Sequence, residues 1–298
     1  MSRSEHTHLI CPLTATTAEA MRADMQRAVA AGATAVEYRL DFLSLPPGEA
    51  DLMRLLSDVP VATIVTCRPV RQGGRYDGDE PARLALLARA AQLGATWIDV
   101  EDDVPADQRP TGATILSYHN FTGLPADLAE RADDIDAQDA AVNKLACKAD
   151  HPADAMAMLD LIAPATQPTI ALAMGEAGVL SRLLAGRCGA AGTFAALSAS
   201  TGSAPGQPTL AEFTGLYRFD RLSAQAEVYG VVGSPVGHSM SPAIHNTAFD
   251  ALDYDAVYLP LLVEPGEVSF KRLMDAMVAR PQLGFRGLSV TIPHKENA

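Results

Sequence analysis

The chain has 298 residues, of which 48% are hydrophobic, 20% charged and 5% aromatic. That balance excludes a disordered or low-complexity chain and supplies a large core. A formal net charge of −13 argues against non-specific partners such as nucleic acid or anionic lipid; an anionic ligand needs a local cluster of arginines.

No apolar run approaches the ~18–20 residues of a membrane span. The opening MSRSEHTHLICPLT lacks the long apolar stretch of a secretory signal. The four cysteines, Cys11, Cys67, Cys147 and Cys188, form no CxxC pair or Cys/His cluster, so no metal site or disulfide framework is expected, and a reducing cytoplasmic setting fits.

In chain order, eight short apolar or alternating runs read as strands: 8–14, 35–41, 61–68, 96–102, 114–119, 141–147, 169–174 and 192–197. Helical spacing separates most of them, as at 17–31, 79–93 and 151–162, while the stretch after the fourth run is short. Strand–helix alternation implies parallel strands joined by crossover helices. Eight units suit a (β/α)8 TIM barrel; an open doubly wound sheet is the alternative. Glu37, Arg39 and Asp41 share one strand face, as do Asp99 and Glu101, Ser117 and His119, and Val142, Lys144 and Ala146. A parallel sheet is normally covered on both faces. A barrel resolves the conflict by turning these polar faces inward, toward the C-terminal ends where barrel enzymes place their sites.

The pattern resets near residues 216–227, and a smaller βαβαβ region follows: strands 228–233, 256–263 and 287–292, helices 241–252 and 266–278. The expected domains are a barrel over 1–220, a linker over 221–227 and an incomplete α/β domain over 228–298.

The strongest chemistry lies in the barrel. Burial favours the neutral form of a lysine amine, here Lys144, and a neutral amine attacks ketones to form a Schiff base. His119 could move protons, and Glu101 could orient its imidazole. Plainer readings stay open: Lys144 in a buried ion pair with Glu37 or Asp41, His119 a satisfied strand-end histidine, Glu101 a solvated charge in an acidic run.

These residues resemble the type I 3-dehydroquinate dehydratases, barrel enzymes of the shikimate pathway. The matching stretches are Glu37-Tyr-Arg39-Leu-Asp41, the strand-closing Arg68, Ser117-Tyr-His119-Asn-Phe121, Asn143-Lys144-Leu-Ala146, Met174-Gly-Glu-Ala-Gly178-Val-Leu-Ser181-Arg182, Thr193-Phe194 and Ser203-Ala-Pro205-Gly206-Gln207. They cover roughly residues 8–218. The resemblance implies conversion of 3-dehydroquinate to 3-dehydroshikimate without a cofactor. Lys144 forms the imine, His119 transfers protons and Glu101 supports it. Arg182 clamps the substrate carboxylate, Glu37, Arg39, Arg68, Ser203 and Gln207 bind its hydroxyls or position neighbours, and Met174 and Phe194 complete the expected substrate-binding set. Without the family match, Arg39 is equally a partner of Glu37, and Arg68 and Arg182 are surface charges. A Schiff-base aldolase on the same fold is the enzyme alternative.

The second region opens with Gly230-Val-Val-Gly233-Ser-Pro-Val-Gly237-His. Its spacing is not G-x-G-x-x-G, and Pro235 breaks the turn a pyrophosphate needs. The segments Gly237-His-Ser239-Met-Ser241-Pro and Ser289-Val-Thr291-Ile-Pro-His-Lys295 resemble the substrate-binding part of shikimate dehydrogenases. That implies Ser239, Ser241 and Thr291 as hydroxyl donors to shikimate and Lys295 as the catalytic lysine; Ser241 also reads as a helix cap before Pro242. Many of the family carry Asn where Ser289 stands. The order of the two parts is similar to the fused bifunctional enzymes of plants. The sequence stops after Lys295, so an NADP domain is expected to be missing and this part to be inactive alone. It could serve instead as a binding or regulatory module, or as an oxidoreductase completed by a second chain. A homodimer is a further expectation.

Overall fold

The computed structural model describes residues 7–199 and 207–298. Eight parallel strands form one sheet: β1 His8–Leu13, β2 Ala35–Arg39, β3 Ala62–Thr66, β4 Trp97–Glu101, β5 Thr114–Asn120, β6 Val142–Lys148, β7 Thr169–Met174 and β8 Gly192–Phe194. Each strand lies beside its sequence neighbour and β1 also pairs with β8. At the remaining seam the Ala191 amide donates to the Thr169 carbonyl oxygen at 2.9 Å. The result is a nearly closed barrel, as the polar inner faces required.

Helices α1 Ala18–Ala30, α2 Glu49–Leu56, α3 Glu80–Gln92, α4 Leu128–Asp136, α5 Pro152–Asp160 and α6 Val179–Leu183 join the strands. Their starts are chemically marked. Thr17 accepts from the Ala20 amide and Asp79 from the Ala82 amide, each satisfying a donor the helix itself cannot pair. After β4 the chain makes only the short turn Ala106–Gln108 before β5.

The inner and outer faces separate as alternation demands. Val36, Tyr38, Val65, Ile98, Val100, Leu116, Leu145 and Cys147 pack outward in the main core with the helices. Inside, Ile10, Ala35, Ile64, Ile115, Val142 and Ile170 fill the N-terminal end. Two residues further along the same faces stand Glu37, Thr66, Asp99, Ser117 and Lys144, all buried. An apolar floor thus carries a charged storey at the C-terminal mouth.

Several expected strand ends move: β8 stops at Phe194 rather than 197, the last strand of the chain runs over Phe285–Val290 rather than 287–292, and two of the shifts touch candidate site residues. β2 stops at Arg39, and Asp41 belongs to the turn Leu40–Phe42, where it folds back onto Arg39. β3 stops at Thr66, which leaves Arg68 just beyond the sheet.

The second region has strands β9 Glu227–Gly233, β10 Ala256–Leu262 and β11 Phe285–Val290, all parallel in the order β10-β9-β11, with α7 Ser241–Ala251 and α8 Glu267–Val278 between them. It packs on the barrel through α8 and α5. His151 Nε2 lies 3.0 Å from the Ser269 carbonyl oxygen, and Arg280 pairs with Asp160 at 2.7 Å. The chain is anchored just before and within the expected linker: the buried Arg218 donates to the Tyr254 carbonyl oxygen at 3.0 Å and pairs with Asp250, and the Ser223 amide donates to Asp255 at 3.2 Å. Among the described residues no helix is long and apolar enough to cross a membrane.

Candidate active site

Lys144 stands in the middle of β6 and is 5% exposed. Its Nζ donates to Asp99 Oδ2 at 2.8 Å, lies 3.6 Å from Glu37 Oε1, and sits 4.6 Å from the centre of the Phe194 ring. The apolar setting expected of an amine nucleophile is therefore replaced by two carboxylates, one in hydrogen-bond contact and one 3.6 Å away. The partner expected as Glu37 or Asp41 is Glu37 together with Asp99; Asp41 is instead held by both Nε and Nη2 of Arg39.

Asp99 was not singled out from sequence, yet it organises the floor of the site. One oxygen takes Lys144; the other takes Arg68 Nη2 at 2.8 Å and the Ser117 hydroxyl at 2.6 Å. Burial raises its carboxyl, but Arg68 and Lys144 more than offset that and hold it far below the ordinary range. Arg68, 4% exposed, also donates to Glu101 at 2.7 Å and to Ser117.

His119, at the end of β5, lines the same cavity, and its Nδ1 is buried without a hydrogen-bond partner. Burial, then the cations Arg68 and Lys144, hold the imidazole well below its ordinary value, so it is a neutral base at neutral pH. Its ring lies parallel to Phe121, 6.2 Å away. The expectation that Glu101 orients this imidazole is overturned: the Glu101 oxygens face Arg68 and Arg83. Sequence shows that Glu101 points inward; it does not show that a helical arginine behind the wall claims it.

Arg182, on α6, also lines the cavity and is 3% exposed. Burial lowers it to about 10. Its one close contact is 3.5 Å to the Phe194 carbonyl oxygen, and among the described residues it has no carboxylate partner. A buried cation without a counter-ion is costly and is a ready seat for an anion. Glu37, Arg39, Arg68, Met174 and Phe194 line the same cavity. Gln207 is buried but is not among the described residues lining it, and Ser203 lies outside the described residues.

A second residue missed from sequence is Gln72, which lines the cavity from the loop after β3. Its Nε2 donates to Asp103 at 3.3 Å, which leaves Oε1 buried and unpartnered. Beside it Gly73 has φ +75, and a Cβ there would meet the Phe121 ring at 2.2 Å. The loop after β3 and the loop after β5 can close over the site only with a glycine at that point.

In the second region Ser239, Ser241, Thr291 and Lys295 all follow the C-terminal ends of the adjacent strands β9 and β11. The Thr291 amide donates to Val232 O and the Ser234 amide to Ile292 O, which ties the two loops together. Ser241 is not the helix cap; Ser239 Oγ accepts its amide at 3.2 Å. Lys295 is exposed. The glycine-rich turn does not fit a nicotinamide dinucleotide: Gly233 is packed against the loop after β11, where a Cβ would meet the Thr291 side chain at 2.5 Å, and the backbone amide that opens α7 is already taken by Ser239.

The mouth of a parallel barrel, where barrel enzymes build their sites, here gathers a buried lysine and, among the described residues, an imidazole nitrogen without a hydrogen-bond partner and an arginine without a counter-ion. The chain belongs to the type I 3-dehydroquinase family, which matches residues 9–224; residues 231–298 match the shikimate dehydrogenase substrate binding domain. The chain is 38% identical over 301 residues to the chloroplastic bifunctional 3-dehydroquinate dehydratase/shikimate dehydrogenase of Arabidopsis thaliana, with 97% of this chain and 49% of that protein covered. It thus spans about half of that relative. It is 35% identical over 196 residues to a 3-dehydroquinate dehydratase of Dehalococcoides mccartyi, covering 63% of this chain and 86% of that one. In fold it resembles the type I 3-dehydroquinate dehydratase of Clostridium difficile, solved with covalently modified comenic acid: TM-score 0.62, 22% identity, 71% of this chain and 91% of that one. The dehydratase and dehydrogenase part of AroM from S. pombe covers 98% of this chain and 58% of its own, with TM-score 0.58 and 21% identity.

Proposed function

We propose that the barrel dehydrates 3-dehydroquinate through an imine on Lys144. The carrying observation is that one cavity holds Lys144, His119 and Arg182, and that among the described residues His119 Nδ1 has no hydrogen-bond partner and Arg182 no counter-ion. Arg182 receives the substrate carboxylate, its fork matching two oxygens. Lys144 gives up a proton and its Nζ attacks the ring ketone; loss of water from the carbinolamine leaves an iminium, which puts a cation back beside Asp99 and Glu37. His119 takes the proton from the adjacent carbon, and the iminium accepts the electron pair. The electrons return as the hydroxyl two carbons from the imine leaves with the proton that His119 gives back. Water then hydrolyses the imine, freeing Lys144 and 3-dehydroshikimate. Phe194 and Met174 cover the apolar side of the ring. Family membership favours this over aldol cleavage.

Borohydride added with 3-dehydroquinate tests the reading. Inactivation with one ligand mass on the Lys144 peptide is expected; an adduct on Lys148, or none, overturns it. For the second region we propose a half-site for shikimate. The matched families supply no dinucleotide-binding part, so NADP and shikimate together should give no reduced nicotinamide with this chain alone. The four free cysteines support a reducing, cytoplasmic setting.

A further inference from the structure

The charges of the site do not end at the cavity wall. Glu101 Oε2 lies 2.7 Å from Nη2 of Arg83. Arg83 belongs to α3, outside the barrel, and is the largest of the fully buried side chains. Its Nη1 donates to the Cys67 carbonyl oxygen at 3.0 Å, and its Nε and Nη2 donate to Glu80 at 2.9 and 2.6 Å. The sequence Lys144, Asp99, Arg68, Glu101, Arg83 is therefore an unbroken line of alternating buried charges.

We propose that Arg83 is a positioning residue of the dehydratase: it keeps Glu101 a carboxylate, so that Glu101 pins one arm of Arg68 and Asp99 stays shared with Lys144. Glu101 has no solvent exposure. The groups that face it are Arg68 and Cys67 from the β3 side, Arg83 with Glu80 from α3, Asp99 on its own strand and Ser117 on β5. Burial pushes the Glu101 carboxyl above the ordinary carboxylate range and Asp99 adds to that; the cations Arg68 and Arg83 oppose the rise and limit it. Removal of Arg83 leaves Arg68 as the one cation facing Glu101, and Arg68 is already shared with Asp99. Glu101 then takes up a proton at higher pH. A neutral carboxyl is a weaker acceptor, so the Arg68 fork turns toward Asp99 and competes with Lys144 for its oxygens.

The proposal rests on the dehydratase reading, and the experiment separates the two: wild-type turnover of 3-dehydroquinate tests that reading, and a pH limb tests this one. kcat/KM is measured against pH for the wild type, Arg83→Met, Arg83→Lys and Glu101→Gln, and for Arg83→Met with Glu101→Gln. In Arg83→Met the acid limb should move up by about 1–3 pH units, the shift that one close opposite charge makes. Arg83→Lys keeps the charge but cannot reach Cys67, Glu80 and Glu101 together; its limb should move in the same direction by less. On Glu101→Gln, which has no proton to gain there, Arg83→Met should move the limb no further. A uniform loss of activity with an unmoved limb overturns the proposal, as does an equal shift in the double variant. If Arg83→Met does not fold, an unmoved limb in Arg83→Lys overturns it.

Discussion

The two regions place their candidate residues in opposite surroundings. In the barrel almost every charged group is pinned before any ligand arrives: Arg39 by Asp41, Arg68 by Asp99 and Glu101, Lys144 by Asp99. Among the described residues that line the cavity, Arg182 has no counter-ion, and His119 Nδ1 and Gln72 Oε1 have no hydrogen-bond partner; under the proposed reading the first two serve the substrate carboxylate and the transferring proton. In the second region Lys295 is exposed, and Ser239 is occupied with its own helix start. Fixed partners remove the reorganisation that a reaction would otherwise require. The comparison teaches that preorganisation by fixed partners, rather than residue identity, separates the two clusters.

The sharpest way to break the comparison is at the nucleophile. Lys144→Ala should abolish turnover and borohydride trapping. It also strips Asp99 and Glu37 of their ammonium, so circular dichroism and a urea midpoint are needed to show a folded chain. Residual turnover with an intact fold would move the chemistry to another group.

His119→Ala should lower kcat by about 10²–10⁴-fold, the range of a general acid–base. The sign of its pH dependence follows from its surroundings. Burial and two cations hold the imidazole below its ordinary value, so the base form persists as pH falls, and the acid limb should lie below the free-histidine value of about 6.5. By linkage, the unfolded chain binds this proton first on acidification, so His119 makes stability fall as pH drops through about 6.5. His119→Gln should flatten that part of the stability curve.

Arg182→Ala should cost about 2–3 kcal/mol of substrate binding, the worth of a charged hydrogen-bonded contact, or roughly 30- to 150-fold in KM. Arg182→Lys should rescue only part, because a point charge cannot reproduce a fork. Full rescue would show that charge alone is used. Gln72→Leu should raise KM less. It removes a neutral acceptor, worth about 0.5–1.5 kcal/mol, and an unchanged KM would mean that Oε1 faces no part of the substrate.

Much of this was legible in the sequence because a strand's side chains alternate. Glu37, Lys144 and His119 could be set inside a barrel from the apolar residues between them. What was not legible depends on how far a side chain reaches. Asp99 was seen to point inward, but no local pattern says that it bridges β3 and β6. Glu101 was given to the neighbouring His119, whereas its partners come from the end of β3 and from a helix behind the sheet. Arg83 looks like any helical arginine until its burial is known. Gln72 sits on a loop whose course follows from the φ of Gly73 and the position of Phe121, not from hydrophobic period.

The smallest expected effect concerns the seam between the regions. Arg280 on the loop after α8 pairs with Asp160 at the end of α5, with side chains 21% and 39% exposed. An ion pair this open to water is screened and contributes about 0–1 kcal/mol. Arg280→Ala should therefore lower the urea midpoint only slightly and leave dehydratase kcat/KM within about twofold. The buried contact beside it is different in kind. His151 Nδ1 accepts the Ala153 amide, which caps α5, while Nε2 faces the Ser269 carbonyl across the seam. Both ring nitrogens are used only in the neutral tautomer with the proton on Nε2, and burial lowers this imidazole too. A large loss of activity in Arg280→Ala, with His151 untouched, would show that the exposed pair transmits the second region's position to the barrel mouth, and the two regions could no longer be treated as energetically separate.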